Sequence, residues 1–160
     1  MSFDISAIKP RPIDNISDEW VAALAQVHGN LFSDGWSEQD FIRFIENQSD
    51  IVIAAIDENL HILAGFLILR IVIDEAEILT IGVAADYQGR GVASLLCKDL
   101  LDTATKDGVK KIFLEVRADN VKALSLYEKQ GFDLVATREG YYKNHKEAGR
   151  IDGLVMQKSI

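Results

Sequence analysis

The chain has 160 residues, with 25 acidic and 17 basic side chains and a net charge of −8; that length supports a full hydrophobic core and reads as one domain over 1–160. Its 48% apolar and 26% charged content excludes a disordered chain, and its acidity argues against general nucleic-acid binding. The single cysteine, Cys97, excludes an internal disulfide and fits a reducing cytoplasm, the localisation expected here.

Met1 to Pro10 lacks the basic and apolar regions of a leader peptide. Phe3 to Lys9 alternates and predicts a first strand, ended by Pro10 and Pro12. Ile16 to Leu31 has helical period, with Trp20, Leu24, Val27 and Leu31 on one stripe. Ser33-Asp34-Gly35 is a loop. Ser37-Glu38-Gln39-Asp40 predicts a capping box that opens a helix with Phe41, Phe44 and Ile45 on its apolar face. Ile51 to Ile56 and Leu60 to Ile73 are β-rich runs around the turn Asp57-Glu58-Asn59. The apolar stretch Ile62 to Ile73 is broken by Arg70 and too short to cross a bilayer, so no membrane partner is expected. Ala76 to Val83 is the next strand. A glycine loop follows, then a helix to about Lys106 that Asp107-Gly108 ends. Lys111 to Arg117 is a strand, and Asn120 to Gln130 a helix with Gly131 past its end. Leu134 to Tyr142 and Ile151 to Lys158 close the sheet, joined by the polar loop Lys143 to Gly149. Antiparallel strands followed by β-loop-α-β-α-β-β predict a mixed sheet with helices on both faces.

The loop Gln88-Gly89-Arg90-Gly91-Val92-Ala93 is the chain's main chemical signal. Two glycines at the mouth of a helix let the backbone turn tightly and approach a ligand. The first N–H groups of that helix lack intrahelical partners, and the macrodipole adds positive potential. Such a site suits a phosphate or pyrophosphate. No P-loop pattern occurs. Gly89-Arg90-Gly91-Val92-Ala93-Ser94 nearly matches a dinucleotide fingerprint, with Glu115 following roughly 20 residues on. Against that reading, Ala84 to Gln88 separate the glycines from the strand, and the chain is short for a dinucleotide domain plus a substrate domain.

Gln88, Gly91 and Ala93 also fill [QR]-x-x-G-x-[GA], and Asn120 to Phe132 reads N-x-x-A-x-x-L-Y-x-x-x-G-F. Together, in this order, the two segments resemble the acetyl-CoA-binding motifs of the GCN5-related N-acetyltransferases, over roughly Ile53 to Lys158. That resemblance implies an α/β (α+β) acetyltransferase fold, with a mixed, mostly antiparallel sheet of about seven strands and splayed central strands Ala76–Val83 and Lys111–Arg117. It implies acetyl-CoA as co-substrate. Backbone groups of Ile81, Gly82 and Val83 would hold the pantetheine, and the Val83 N–H would polarise the thioester carbonyl. Gly82 suits a bulge or a close backbone approach. The pyrophosphate would lie on Gln88, Gly89, Arg90, Gly91, Val92 and Ala93, with Asn120 either capping its helix or reaching the pantetheine.

Acetyl transfer to an amine requires that the amine lose a proton and that the thiolate leave. An α-amine has a pKa near 8, so roughly a tenth is neutral at pH 7. A lysine amine, about 2.4 units higher, costs about 3.3 kcal/mol more to deprotonate. Glu115 is the candidate base; it lies on the face of Phe113 and Arg117, and an ion pair with Arg117 is the competing reading. Leu114-Glu115-Val116-Arg117-Ala118-x-Asn120 resembles the L-E-V-R-x-S-N segment of bacterial ribosomal-protein-alanine N-acetyltransferases, which implies the base. Tyr127 is the candidate acid by the same family context, with helix packing as its alternative. Arg90 reads either as a phosphate partner or as solvated, and Cys97 as a small core filler. His28, His61 and His145 show no metal-ligand spacing, so no metal is expected; His28 reads as ending a helix and His145 as lying in a loop near the acceptor. Trp36 resembles a family acceptor segment or packs a loop.

Asp74-Glu75-Ala76 and Arg138-Glu139-Gly140-Tyr141-Tyr142 extend the resemblance to that alanine-acetylating group and imply a protein N-terminus, such as that of a small-subunit ribosomal protein, as acceptor. Ala85 stands where a proline is usual, Gln88 where arginine is frequent, and Lys143 where the family has a proline after the tyrosine pair. The polar loop to Gly149 also differs from the family. A small-molecule amine such as a polyamine or antibiotic, and a non-catalytic acetyl-CoA-binding module, stay open as alternatives.

Overall fold

The computed structural model describes residues 3–160; Met1 and Ser2, which the leader-peptide reading also covers, lie outside them. The elements are β1 (Ile8–Pro12), α1 (Val21–Leu31), α2 (Glu38–Glu46), β2 (Asp50–Asp57), β3 (Ile62–Val72), β4 (Glu75–Val83), α3 (Val92–Lys106), β5 (Lys111–Arg117), α4 (Val121–Lys129), β6 (Asp133–Lys143) and β7 (Arg150–Ser159). Seven strands form one sheet in the order β1-β2-β3-β4-β5-β7-β6. All neighbours are antiparallel except β4 and β5. This is the mixed sheet expected from the element order, and it is mostly antiparallel, as the resemblance implies. Among the described residues no helix is long and apolar enough to cross a membrane.

Strands β2 and β3 are apolar almost throughout because both of their faces are covered. Val52, Ala54, Phe66 and Ile68 face α1 and α2, alongside Trp20, Leu24 and Phe41. Ile53, Ala55, Leu67, Leu69 and Ile78 face the other way. They meet the α3 stripe Val92, Leu96, Leu100 and Ala104, whose spacing of four keeps one face of that helix on the sheet. Each leucine so buried contributes about 1.5–3 kcal/mol. Helix α2 opens with the expected capping box: the Asp40 N–H donates to Ser37 Oγ at 3.3 Å, and the Ser37 N–H donates to Asp40 Oδ2 at 2.8 Å.

Two early expectations need correction. The first strand is not Phe3 to Lys9. Ile5–Ala7 form a short 3-10 turn capped by Asp4, and the strand that follows contains both prolines. Since among the described residues β1 pairs only with β2, it is an edge, where a missing N–H costs no ladder bond. Helix α1 starts at Val21, not Ile16. The Asn15 and Asp18 side chains accept the Ser17 and Trp20 N–H groups, holding that stretch in turns instead.

One irregularity shapes the site. On β4, Ile78 faces Leu69 and Thr80 faces Ile68, leaving Leu79 as the extra residue of a bulge. A bulge bends its strand. The bend falls where pairing with β5 stops, the last pair being Ile78 with Leu114. Beyond it Leu79–Val83 and Glu115–Arg117 have no ladder between them, and the sheet opens into a wedge. The bulge is thus at Leu79, and of the two readings of Gly82, a bulge or a close backbone approach, the second holds. Gly82 does take the close approach: a Cβ there would meet the Phe66 ring at 2.7 Å and Leu31 Cδ1 at 2.9 Å.

Candidate active site

Antiparallel ladders alternate between residues bonded to the neighbour and residues whose N–H and C=O point away. The Ala84 N–H donates to the Ala64 carbonyl at 2.9 Å, which sets the phase along β4. Gly82 then bonds toward β3, while Ile81 and Val83 turn their backbone groups into the wedge. A pocket of about 420 Å³ lies at this edge, lined by Ile81, Val83, Gln88, Gly91, Ala93 and Asn120 among others. A second, about 430 Å³, is lined by Leu31, Phe32, Thr80, Glu115, Tyr127 and Tyr142 among others. Both include Ile81, Gly82, Val83, Gln88, Asn120 and Ala123, so they are two mouths of one cleft through the sheet.

The glycine loop forms the rim of the first mouth. Gly89 and Gly91 have φ of 71° and 87°, a left-handed conformation that side chains disfavour. A Cβ at either would meet nothing within 4 Å among the described residues, so the requirement there is conformational and not steric. Gly91 caps α3, whose first turn carries no acidic side chain. The free N–H groups of Val92, Ala93 and Ser94 suit an anion. Gln88 folds back, its Nε2 donating to the Val83 carbonyl at 3.0 Å. Tyr87, one residue earlier and buried, donates its hydroxyl to Asp57 Oδ2 at 2.9 Å. That bond ties the loop to the β2–β3 turn, and burial with the Asp57 bond pushes the phenol up to about 12. Nothing near Tyr87 in sequence signals this partner. Arg90 turns away from the cleft, its guanidinium 4.9 Å from the centre of the Phe3 ring.

Glu115 opens into the second mouth, but its partner is not Arg117. Arg117 is held by Asp119, through two bonds of 3.0 Å. Glu115 Oε2 accepts from Arg138 Nη1 at 2.7 Å, and Oε1 from the Tyr142 hydroxyl at 2.8 Å. In the sequence Arg138 and Tyr142 belong to a segment that resembles the family's, and nothing there links them to Glu115. Burial and the Glu115 bond push the Tyr142 phenol up to about 12.

Tyr127 is buried, its ring edge-on to Phe132 at 5.7 Å. Burial raises its hydroxyl far above the ordinary phenol range. Among the described residues that hydroxyl has no hydrogen-bond partner, yet it is not sealed in, because it reaches the cleft. Asn120 caps α4, its Oδ1 accepting the Ala123 N–H at 3.2 Å, and lines both mouths. The arrangement thus sets a glycine loop suited to an anion, an unpaired strand edge, a carboxylate and a phenol around one cleft.

Other residues stand apart. Cys97 is a buried filler, its thiol pushed up to about 12 by burial. His28 does more than end α1. Its buried ring stacks on Trp36 at 4.4 Å, and its Nδ1 accepts the Trp36 N–H at 3.0 Å. Trp36 packs this loop onto α1 and α2 and does not line the cleft. His145 is exposed in the β6–β7 loop.

A family model described as "Acetyltransferase (GNAT) family" matches residues 18–132. The [ribosomal protein bS18]-alanine N-acetyltransferase of Escherichia coli (strain K12) is 40% identical over 98 residues, which cover 61% of this chain and 65% of that relative, just under two thirds of its length. The Salmonella typhimurium protein of the same name is 32% identical over 92% of this chain and 97% of its own. The crystal structure of the ribosomal-protein-S18-alanine N-acetyltransferase from Escherichia coli superposes with a TM-score of 0.84 at 29% identity, covering 96% of this chain and 94% of that one.

Proposed function

The chain belongs to the acetyltransferase (GNAT) family, and from that premise we propose that it is an acetyl-CoA-dependent N-acetyltransferase acting on the N-terminal α-amine of a protein. By analogy with its relatives, that acceptor is a small-subunit ribosomal protein. One observation carries the reading: Glu115 and Tyr127 open into the same cleft as the unpaired edge of β4, whose other mouth is the glycine loop.

The donor supplies an acetyl group activated as a thioester. The Gly89–Ala93 backbone and the start of α3 bind its pyrophosphate. Ile81 and Val83 offer strand-like hydrogen bonds to the pantetheine, with the Val83 N–H aimed at the carbonyl, where a fixed donor favours developing negative charge. Glu115 takes the proton from the attacking amine. Tyr127 gives a proton to the departing sulfur, and burial keeps its hydroxyl protonated at every working pH. An α-amine needs only this modest help, since about a tenth is already neutral near pH 7.

The test is thiol release from acetyl-CoA with an alanine-starting peptide, the same peptide blocked at its N-terminus, and a polyamine. Release with the free peptide alone supports the proposal. Release with the polyamine alone overturns the acceptor class. Binding of acetyl-CoA without release overturns the catalytic reading.

A further inference from the structure

We propose that Arg138 and Tyr142 are positioning residues that clamp the Glu115 carboxylate, and that a bulge in β6 brings them to it; this rests on the reading of Glu115 as the base. In a regular strand, residues four apart share a face but lie ~13 Å from each other, too far for both to meet one carboxylate. Here Arg138 pairs with Gly153 and Tyr142 with Ile151, so four steps on β6 oppose two on β7. The two extra residues are looped out, and the separation along the sheet falls to ~7 Å. Arg138 then takes Oε2 and Tyr142 takes Oε1.

The loop-out is itself built. Asp152 Oδ1 accepts the Gly140 N–H at 2.7 Å. Arg150 donates from Nε to the Gly140 carbonyl and from Nη2 to the Tyr141 carbonyl, the latter at 3.1 Å. Gly140 has a φ of 56°, the left-handed conformation the loop needs. Opposite the carboxylate, Gly153 leaves room: a Cβ there would lie 3.2 Å from the Tyr142 ring and 3.4 Å from Glu115 Oε1. The Arg138 guanidinium is fixed in turn over the Tyr141 ring at 3.9 Å. With a bond to each oxygen, the carboxylate cannot rotate, and its remaining lone pairs keep one direction toward the cleft. Arg138 is half exposed, so its ion pair adds little to fold stability. Its value is geometric, and a base displaced by about 1 Å loses on the order of 100-fold in rate.

The experiment compares Arg138→Met, Arg138→Lys, Tyr142→Phe and Asp152→Ala, with Glu115→Gln and the Glu115→Gln/Arg138→Met double variant, in the full chain with a peptide acceptor. We expect kcat to fall about 10- to 100-fold in Arg138→Met and Tyr142→Phe, with unchanged KM for acetyl-CoA and unchanged melting temperature. Arg138→Lys keeps the charge and recovers part of the rate. Asp152→Ala, which releases the bulge from outside the cleft, shows the same kcat-only loss and serves if a clamp variant fails to fold. Arg138→Met costs nothing more once Glu115 is Gln. Full kcat in Arg138→Met and Asp152→Ala beside a slow Glu115→Gln overturns the clamp and leaves the base intact. A fully additive double variant also overturns it, since Arg138 then acts on the acceptor directly. Full activity of Glu115→Gln overturns the base reading itself.

Discussion

Tyr127→Phe removes one oxygen from a buried ring and isolates a single chemical role. The ring stays against Phe132, and the hydroxyl opens into the cleft and makes no hydrogen bond among the described residues. Its loss should therefore change stability by no more than about 0.5 kcal/mol. For a chain of this size that is about 1–2 °C in Tm. The kinetic effect should be far larger. A positioned acid contributes about 100- to 10,000-fold. A thiol has an ordinary pKa near 8.5, so thiolate already leaves without help and the effect belongs at or below the lower end, about 10- to 100-fold. That corresponds to about 1.4–2.7 kcal/mol of barrier. KM for acetyl-CoA should not move, because the proton is given only as sulfur departs. The pH dependence follows from the direction of the shift. A phenol raised in the folded state contributes stability that is fully present below its unfolded value near 10, and that is lost as pH rises through the folded value. Between pH 6 and 9 the hydroxyl stays protonated and ready to donate, so no alkaline fall in rate should trace to it. Steady-state kinetics of thiol release, with calorimetric melting as control, measure all of this. A kcat within twofold of the parent refutes the acid role and leaves Tyr127 as a packing residue.

Gly91→Val forces a β-branched residue into a φ of 87°, at about 1–2 kcal/mol of backbone strain. Titration calorimetry should show markedly weaker acetyl-CoA binding with the fold retained; unchanged affinity contradicts the loop assignment. Glu115→Gln should slow transfer to an α-amine yet leave a residual rate from the neutral tenth of the amine, and should slow a lysine acceptor more; equal, full rates on both argue for a structural role. Tyr87→Phe leaves buried Asp57 without one donor, a loss of about 1–3 kcal/mol or several degrees in Tm, with a raised KM for acetyl-CoA as the loop loosens; an unchanged Tm refutes the anchor. His28 is lowered by burial, with Asp40 pulling the other way. A depressed value means that stability is present above the unfolded value near 6.5 and is lost as pH falls through the folded value. Tm should therefore decline below about pH 6.5 and decline less in His28→Phe, because protonating Nδ1 also breaks its bond from the Trp36 N–H; parallel pH curves overturn this.

Local rules made much of this protein legible from its residues alone. Period, capping and glycine placement located α2, α3, α4 and β5 closely, because each signal acts within one or two turns of chain. The element order implied the mixed sheet, and the glycine loop at the head of α3 implied an anion before any fold was known. What the residues could not show depended on partners distant in sequence. Pro10 and Pro12 sit in a strand because β1 became an edge, which only the sheet order settles. The wedge opens at the Leu79 bulge, whose position depends on the register of β3 against β4 and carries no marker residue. Glu115 looked toward Arg117, its same-face neighbour, yet Asp119 holds that arginine and Arg138 arrives from two strands away. A carboxylate binds whichever donors the packed sheet brings within about 3 Å, and here that depends on two extra residues in β6, a length that pairing reveals and composition does not.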